Sequence, residues 1–230
     1  MPAGGINILS VLLKRNKFKS RFIPNCHLSG LTTIRTGGPC RALIMAYNEE
    51  ELISIIMECI RLGIHYKILG NGSNVLFSDR GFNGVIIKLT GKVFNNIEIC
   101  KEGVLCGAGV SAGKFLKFCL KNSIGGYEFF CGIPGTIGGM LCMNAGAFSC
   151  NIGQFTKKIK IFAPERGIKW IEAASLRFLY RKVKGLPENS VILQVLMKKK
   201  KSKKTSFIFL KLFLLECHPM QELLLVLIAF

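Results

Sequence analysis

Apolar residues fall into short runs of different period. From Leu52 onward they recur at Leu52, Ile53, Ile55, Ile56, Cys59 and Ile60, the three-to-four spacing of one helix face. Asn48 precedes this run and Glu51 follows three residues later, as in a capping box, so a helix is predicted from Asn48 to about Leu62. A second helix is predicted over residues 112–121. Strands are predicted over residues 66–69 and 84–89, over a hairpin pair at 96–100 and 103–106, over a pair at 157–162 and 167–171 joined by a turn at 164–167, and over 190–196. Residues 31–39 read as a short strand ending in a Gly37-Gly38-Pro39 turn, residues 75–77 as renewed β structure, and residues 173–178 as one helical turn.

One stretch resists either period. Residues 127–147, YEFFCGIPGTIGGMLCMNAGA, carry Gly132, Gly135, Gly138, Gly139 and Gly146. Glycine at this density weakens helices and strands, so it serves left-handed turns or close approach of backbone N–H groups to a ligand. Successive N–H groups in such turns form concave nests for phosphate; a buried, ligand-free loop is the plainer reading. The turn Gly70-Asn71-Gly72-Ser73-Asn74 poses the same choice, between phosphate held on N–H groups and the Ser73 hydroxyl and an ordinary tight turn. A third glycine motif, GAGVSA at residues 107–112, has the outline of a dinucleotide fingerprint, but no regular series of parallel strands and helices follows it.

The chain of 230 residues is half hydrophobic, enough for a sizeable core, and its formal charge is +19. That charge is uneven. Residues 31–150 hold eleven basic and eight acidic residues, whereas residues 1–30 hold five basic and no acidic ones. The even central body weighs against a nucleic-acid reading, and a solvated face or an anionic small ligand accounts for the excess. Ten cysteines stand singly, without a CxxC pair, and three histidines are too few to complete a zinc set, so no metal is expected. Without a secretory signal, single cysteines read as reduced thiols of a cytoplasmic protein. Residues 198–204 read KKKKSKK, and residues 205–230 are apolar without a clean period or an uninterrupted run long enough to cross a bilayer, so no stable membrane insertion is expected. Such a tail matches translation through a shifted reading frame; the other reading is a basic cluster ahead of apolar residues that touches an anionic membrane surface, which with the basic arm would make a nucleic-acid or membrane-surface binding protein.

Four segments in order resemble the UDP-N-acetylenolpyruvoylglucosamine reductase (MurB) family: TIRTGGP at 33–39, LGNGSNVLFSD with GFNGVIIKL at 69–89, GGYEFFCGIPGTIGGMLCMNAGA at 125–147, and LRFLYR at 176–181. The resemblance spans about residues 20–197 and implies an α+β chain. A two-lobed FAD-binding fold of the vanillyl-alcohol oxidase (PCMH) type would be followed by an incomplete α+β substrate domain. The implied organisation is a basic arm at 1–30, an FAD-binding domain at 31–150 with its lobe boundary near 90, a partial substrate domain at 151–197, and an aberrant tail at 198–230.

By the same resemblance, FAD would be lined by Gly70, Asn71, Gly72, Ser73 and Asn74, by Gly132, Ile133, Pro134, Gly135, Thr136, Gly138 and Gly139, and by Asn144, Ala145 and Gly146. This sets GAGVSA aside, since the family does not hold flavin on a Rossmann motif. The implied reaction is ping-pong: NADPH reduces the flavin, and the flavin passes hydride to the enolpyruvyl group of a UDP-sugar, giving UDP-N-acetylmuramate for peptidoglycan synthesis. Arg181 would steady the charge that builds on the substrate carboxylate. The family's proton-donor serine and later glutamate have no counterpart after Leu196, which implies an impaired reductase or an inactive remnant that binds FAD.

Overall fold

The computed structural model describes residues 20–201. Its first sheet is built from β1 (Arg21–Pro24), β2 (Cys40–Ala46), β3 (Tyr66–Ile68) and β4 (Phe82–Leu89), in the order β1-β2-β4-β3. β2, β4 and β3 run parallel, with Ile44 opposite Ile87 and Lys67 opposite Ile86. The crossover helix α1 (Glu49–Arg61) joins β2 to β3. It starts where the spacing predicts, with the Asn48 side chain accepting from the Glu51 N–H at 2.8 Å. The Glu51 carboxylate reaches back one residue further than in a capping box, to the Tyr47 N–H at 3.1 Å, and also accepts from the Ser20 hydroxyl. Leu52, Ile55 and Ile56 of α1 lose essentially all solvent contact against Ala42, Ile44, Val85 and Ile87, worth about 2 kcal/mol each. The opposite face, with Leu43 and Ile86, is covered by Leu28 and Leu69. Burial on both faces explains the unbroken apolar run of β4.

The rest of the chain forms α2 (Lys92–Asn95), β5 (Ile97–Cys100), β6 (Gly103–Gly107), α3 (Ala112–Lys121), β7 (Ile124–Gly125), α4 (Ile137–Cys142), β8 (Gly146–Ala147), β9 (Cys150–Asn151), α5 (Ile152–Phe155), β10 (Thr156–Ala163), β11 (Gly167–Glu172), β12 (Arg177–Leu179), β13 (Lys182–Lys184), β14 (Val191–Met197) and β15 (Lys200–Lys201). Five of these strands make one sheet in the order β11-β10-β14-β6-β5, all antiparallel. The sheet runs across residue 150 without a break: β10, β11 and β14 lie beyond it, β5 and β6 before it. Its core includes an aromatic cluster in which Phe115 meets Tyr127 edge-on at 4.9 Å and Phe129 meets Phe130 at 4.7 Å. Lys160 on β10 grips both carboxylate oxygens of Glu49 at 2.7 and 2.8 Å and ties the second sheet to the first turn of α1.

Several expectations change. Residues 31–39 are not a strand. Arg35 is left-handed at φ 58°, the Thr32 hydroxyl donates to the Thr36 carbonyl at 3.0 Å, and the strand begins only at Cys40. Residues 75–77 run extended without a partner strand among the described residues, because the edge beside β3 ends at Ile68. Residues 173–178 split into a 3-10 turn, Ala173–Ser175, and strand β12. The basic arm does not reach residue 30, since Arg21–Pro24 pairs with β2 and Leu28 is fully buried. The tail reading also begins too early: the Lys198 N–H donates to the Phe155 carbonyl at 2.7 Å, Lys200 sits 4.6 Å from the Phe155 ring, and β15 pairs with β7. The remainder of the tail, the stretch before residue 20 and Cys217 lie outside the described residues.

The loop after β3 folds back on the loop before β2, where the Thr33 N–H donates to the Gly72 carbonyl at 3.0 Å. Gly72 has φ +73°, and a Cβ there would stand 2.0 Å from the Leu31 carbonyl oxygen. Gly113, inside α3, has nothing within 4 Å of a Cβ. Gly72→Ala is therefore expected to cost about 2 kcal/mol or more in urea unfolding, and Gly113→Ala to add about 0.5–1 kcal/mol; equal stabilities would refute the packing described for these loops. Burial pushes the Cys59 and Cys119 thiols from 9.0 up to about 12. Unfolded thiols release their protons first as pH rises, so the stability these groups contribute is complete below pH 9 and falls above it. Unfolding midpoints measured from pH 7 to 10.5 should hold level and then drop, at up to about 1.4 kcal/mol per pH unit per thiol.

Candidate functional site

The two sheets meet around a cavity of about 400 Å³. It opens at the carboxyl ends of the parallel strands β3 and β4, the usual ligand position in such sheets. Leu69, Gly70 and Asn71 follow β3, while Lys88, Leu89 and Thr90 end β4. Asn95 of α2, Ala108 and Gly109 after β6, Thr136, Gly138, Gly139 and Cys142 around α4, and Ser190 to Ile192 at the start of β14 close the rest. Among the described residues, Lys88 is the single charged one on this wall, and no carboxylate lines it.

Two of the predicted segments are joined by a seam. The Ser73 hydroxyl donates to the Pro134 carbonyl at 2.7 Å, and a Cβ on Gly70 would stand 2.5 Å from the Thr136 hydroxyl oxygen. The proton of Ser73 is thus spent inside the protein, leaving its oxygen only as an acceptor. Thr136 caps α4 by accepting from the Gly139 N–H at 3.2 Å. The Ile137 and Gly138 N–H groups donate to the carbonyls of Val110 and Ala108 at 2.8 and 2.9 Å. This corrects the nest expected at Gly138 and Gly139, since the first N–H groups of α4 already have partners and the segment acts as a wall. The N–H groups of Gly70, Asn71, Gly72, Ser73 and Asn74, by contrast, have no partner among the described residues.

Of the predicted residues, Gly70, Asn71, Thr136, Gly138 and Gly139 line the cavity. Gly72, Ser73, Asn74, Gly132, Ile133, Pro134 and Gly135 stand behind or beside that wall. Gly139 faces the open space, with only the Thr136 hydroxyl, at 3.3 Å, within 4 Å of an added Cβ. Asn144, left-handed at φ 42°, donates from Nδ2 to the Leu179 carbonyl at 3.1 Å and accepts from the Gly153 N–H at 3.2 Å. The Ala145 N–H donates to the Met140 carbonyl at 2.8 Å, and Gly146 begins the short β8–β9 ladder. Asn144 thus ties the β12–β13 hairpin to the segment after α4, and none of the three residues lines the cavity. Arg181 sits at that hairpin's tip, exposed and left-handed, with its guanidinium 5.5 Å from the Tyr180 ring.

Lys88, Thr90, Asn95, Cys142 and Ser190–Ile192 were not among the predicted residues. Nothing in the local sequence marks them, because strand ends become walls only once two sheets face each other. Ala108 and Gly109 belong to the GAGVSA motif set aside on sequence grounds. Its strand has only antiparallel neighbours, so it is no Rossmann unit, yet its backbone helps wall the cavity. Among the described residues no cluster of three metal-ligating side chains occurs, and no helix is long and apolar enough to cross a membrane.

The donor set suits a diphosphate: five consecutive unspent N–H groups, one cation and no carboxylate beside an apolar, glycine-walled space. Residues 40–163, more than half the chain, match the FAD binding domain family. The chain is 35% identical over 163 residues to the UDP-N-acetylenolpyruvoylglucosamine reductase of Clostridium perfringens, covering 70% of this chain and 52% of that protein. It is 39% identical over 144 residues to the reductase of that name from Orientia tsutsugamushi, covering 61% and 47%. The chain thus spans about half the length of the curated relatives it matches. The reductase (MurB) structure from Thermus caldophilus superposes with a TM-score of 0.70 at 26% identity, over 84% of this chain and 66% of that one. An alkyldihydroxyacetonephosphate synthase structure shares the fold alone, with a TM-score of 0.53 at 12% identity over 71% of this chain and 32% of that one. The two-lobed fold, the glycine-walled cavity between its sheets and these likenesses agree: the chain belongs to the FAD-binding domain family, among the homologues of UDP-N-acetylenolpyruvoylglucosamine reductase.

Proposed function

We propose that the chain holds FAD in the cavity between its two sheets and that the bound flavin serves the NADPH-dependent reduction of UDP-N-acetylglucosamine enolpyruvate to UDP-N-acetylmuramate, a step of peptidoglycan precursor synthesis. One observation carries the flavin part: the residue 70–74 loop, whose N–H groups have no partner among the described residues, enters the wall of a carboxylate-free cavity at Gly70 and Asn71, and a glycine-rich wall keeps that cavity open. FAD would supply a ring that accepts and returns hydride. The chain's own residues would hold and aim it. Gly70 to Asn74 would offer donors to the diphosphate. Gly139 would let the ring approach the backbone, Gly138 lets α4 pack closely on Ala108, and Thr136 would fix α4 as the wall behind the ring. The NADPH and UDP-sugar assignments rest on the homologous reductases.

Arg181 is assigned to the substrate carboxylate, as a rigid, permanently charged donor. Asn144 supports the assignment, because its bond to the Leu179 carbonyl anchors the hairpin carrying Arg181 to the segment that follows α4. Arg181→Lys keeps the charge but loses the planar fork, so turnover should fall by about 10-fold or more with flavin content unchanged.

Purified protein incubated with FAD and desalted should remain yellow and should oxidise NADPH when the enolpyruvyl substrate is added. A folded, colourless protein would overturn the flavin reading; flavin retained without turnover would restrict the chain to flavin binding. Gly139→Leu fills the cavity from α4. It should abolish flavin uptake while shifting the melting temperature by only a few degrees, and retention of FAD by this variant would place the flavin elsewhere.

A further inference from the structure

Lys88 has no hydrogen-bond or ion-pair partner among the described residues, although it stands near the end of β4 on the wall of the cavity. It is only partly exposed, and burial lowers its pKa, with the Cys26 thiol opposing that effect. An ammonium taken partly out of water without a carboxylate is costly, and every other charge is absent from this wall. Lysines of the second sheet do find partners: Lys158 and Lys160 pair with glutamates, and Lys198 bonds a carbonyl. The register places Lys88 beside the loop with unspent N–H groups. Ile87 pairs with Ile68, so Lys88 lies level with Leu69, one residue before Gly70. Strand alternation puts its side chain on the face of Ile86, the face covered by Leu28, Leu69 and the loops around Leu31 and Val75. The Gly70–Asn74 loop folds onto that same face, through the Thr33 to Gly72 hydrogen bond.

We infer that Lys88 is the charge partner of the ligand's diphosphate, meeting from the end of β4 the anion that the Gly70–Asn74 N–H groups meet from the end of β3. The inference rests on the FAD reading and adds a specificity-determining residue to it. Lys88 selects the phosphorylated flavin over the bare ring, because N–H dipoles alone leave the anion's charge unbalanced in a partly desolvated space.

Titration of the full chain with FAD and with riboflavin, which carries the same ring without phosphate, tests this by flavin fluorescence. Lys88→Met should weaken FAD by about 10-fold to 100-fold, flatten its salt dependence and leave riboflavin affinity unchanged, and Lys88→Arg should restore part of the loss. Equal affinity of wild type and Lys88→Met for FAD would overturn the inference while leaving the flavin site standing. Equal loss of FAD and riboflavin would mark Lys88 as a packing residue and would also overturn it. If Lys88→Met weakens UDP but not FAD, the lysine serves the sugar nucleotide's diphosphate instead, and the assignment fails. Wild type that binds neither flavin refutes the cavity reading and the lysine's part in it together.

Discussion

The contact on which the site depends is the seam between the loop after β3 and the segment before α4. Gly70 lies so close to Thr136 that a methyl group would reach within 2.5 Å of its hydroxyl oxygen, and Ser73 bonds the Pro134 carbonyl at 2.7 Å. The first loop leaves a strand of the first sheet, and the second segment leads into α4, which packs on the core of the second. The sheets also share a core, in which Phe162, Val191 and Leu193 of the second pack with α1 and the first, and the cavity is the space left between this shared core and the seam. The ion pair of Glu49 with Lys160 makes a second tie between the sheets, at the start of α1. Partly buried and doubly bonded, it is held more firmly than a single surface pair.

Backbone hydrogen bonds divide the labour within the site. The glycine-rich segment at α4 resembles a ligand cradle by composition, yet its leading N–H groups answer carbonyls of Ala108 and Val110 and the cap at Thr136. It therefore works as a thin, firmly held wall. The Gly70–Asn74 loop keeps its donors unspent because its own anchors use other groups: the Gly72 carbonyl, the Ser73 hydroxyl and the lack of a side chain on Gly72. A loop fixed by acceptors and side chains keeps its donors free of internal partners, as electrostatic recognition of an anion needs.

Much of the architecture was legible in the residues. α1 followed from Asn48, Glu51 and the spacing of Leu52, Ile55, Ile56 and Cys59, all buried as expected. The helix over 112–121 and the β5–β6 and β10–β11 hairpins carried strong local signals and formed where expected. The failures share a cause. Residues 31–39 and 75–77 have β composition, but the backbone of the first is engaged by neighbouring loops, through Thr33 to Gly72 and Gly38 to Ser78, and the second has no partner strand among the described residues. The short helical turn at 173–178 gave way after Ser175 because Arg177 to Leu179 found a partner in Lys182 to Lys184.

The sequence by itself determined the helices over 48–62 and 112–121, the β5–β6 and β10–β11 hairpins and the positions of the glycine turns, since caps, periodicity and backbone freedom act over a few residues, whereas α4 formed in a glycine-rich stretch that read as unsuited to a helix. It also identified two of the segments that border the cavity, through motifs whose composition is informative without a partner. Only the tertiary structure decided which N–H groups stay unspent, that Asn144 secures a hairpin, that GAGVSA helps to wall the cavity, and that Lys88 stands without a carboxylate. Each of these depends on which distant carbonyl, strand end or side chain arrives nearby. Hydrogen-bond satisfaction and desolvation are settled by those long-range arrivals, and no local pattern encodes them.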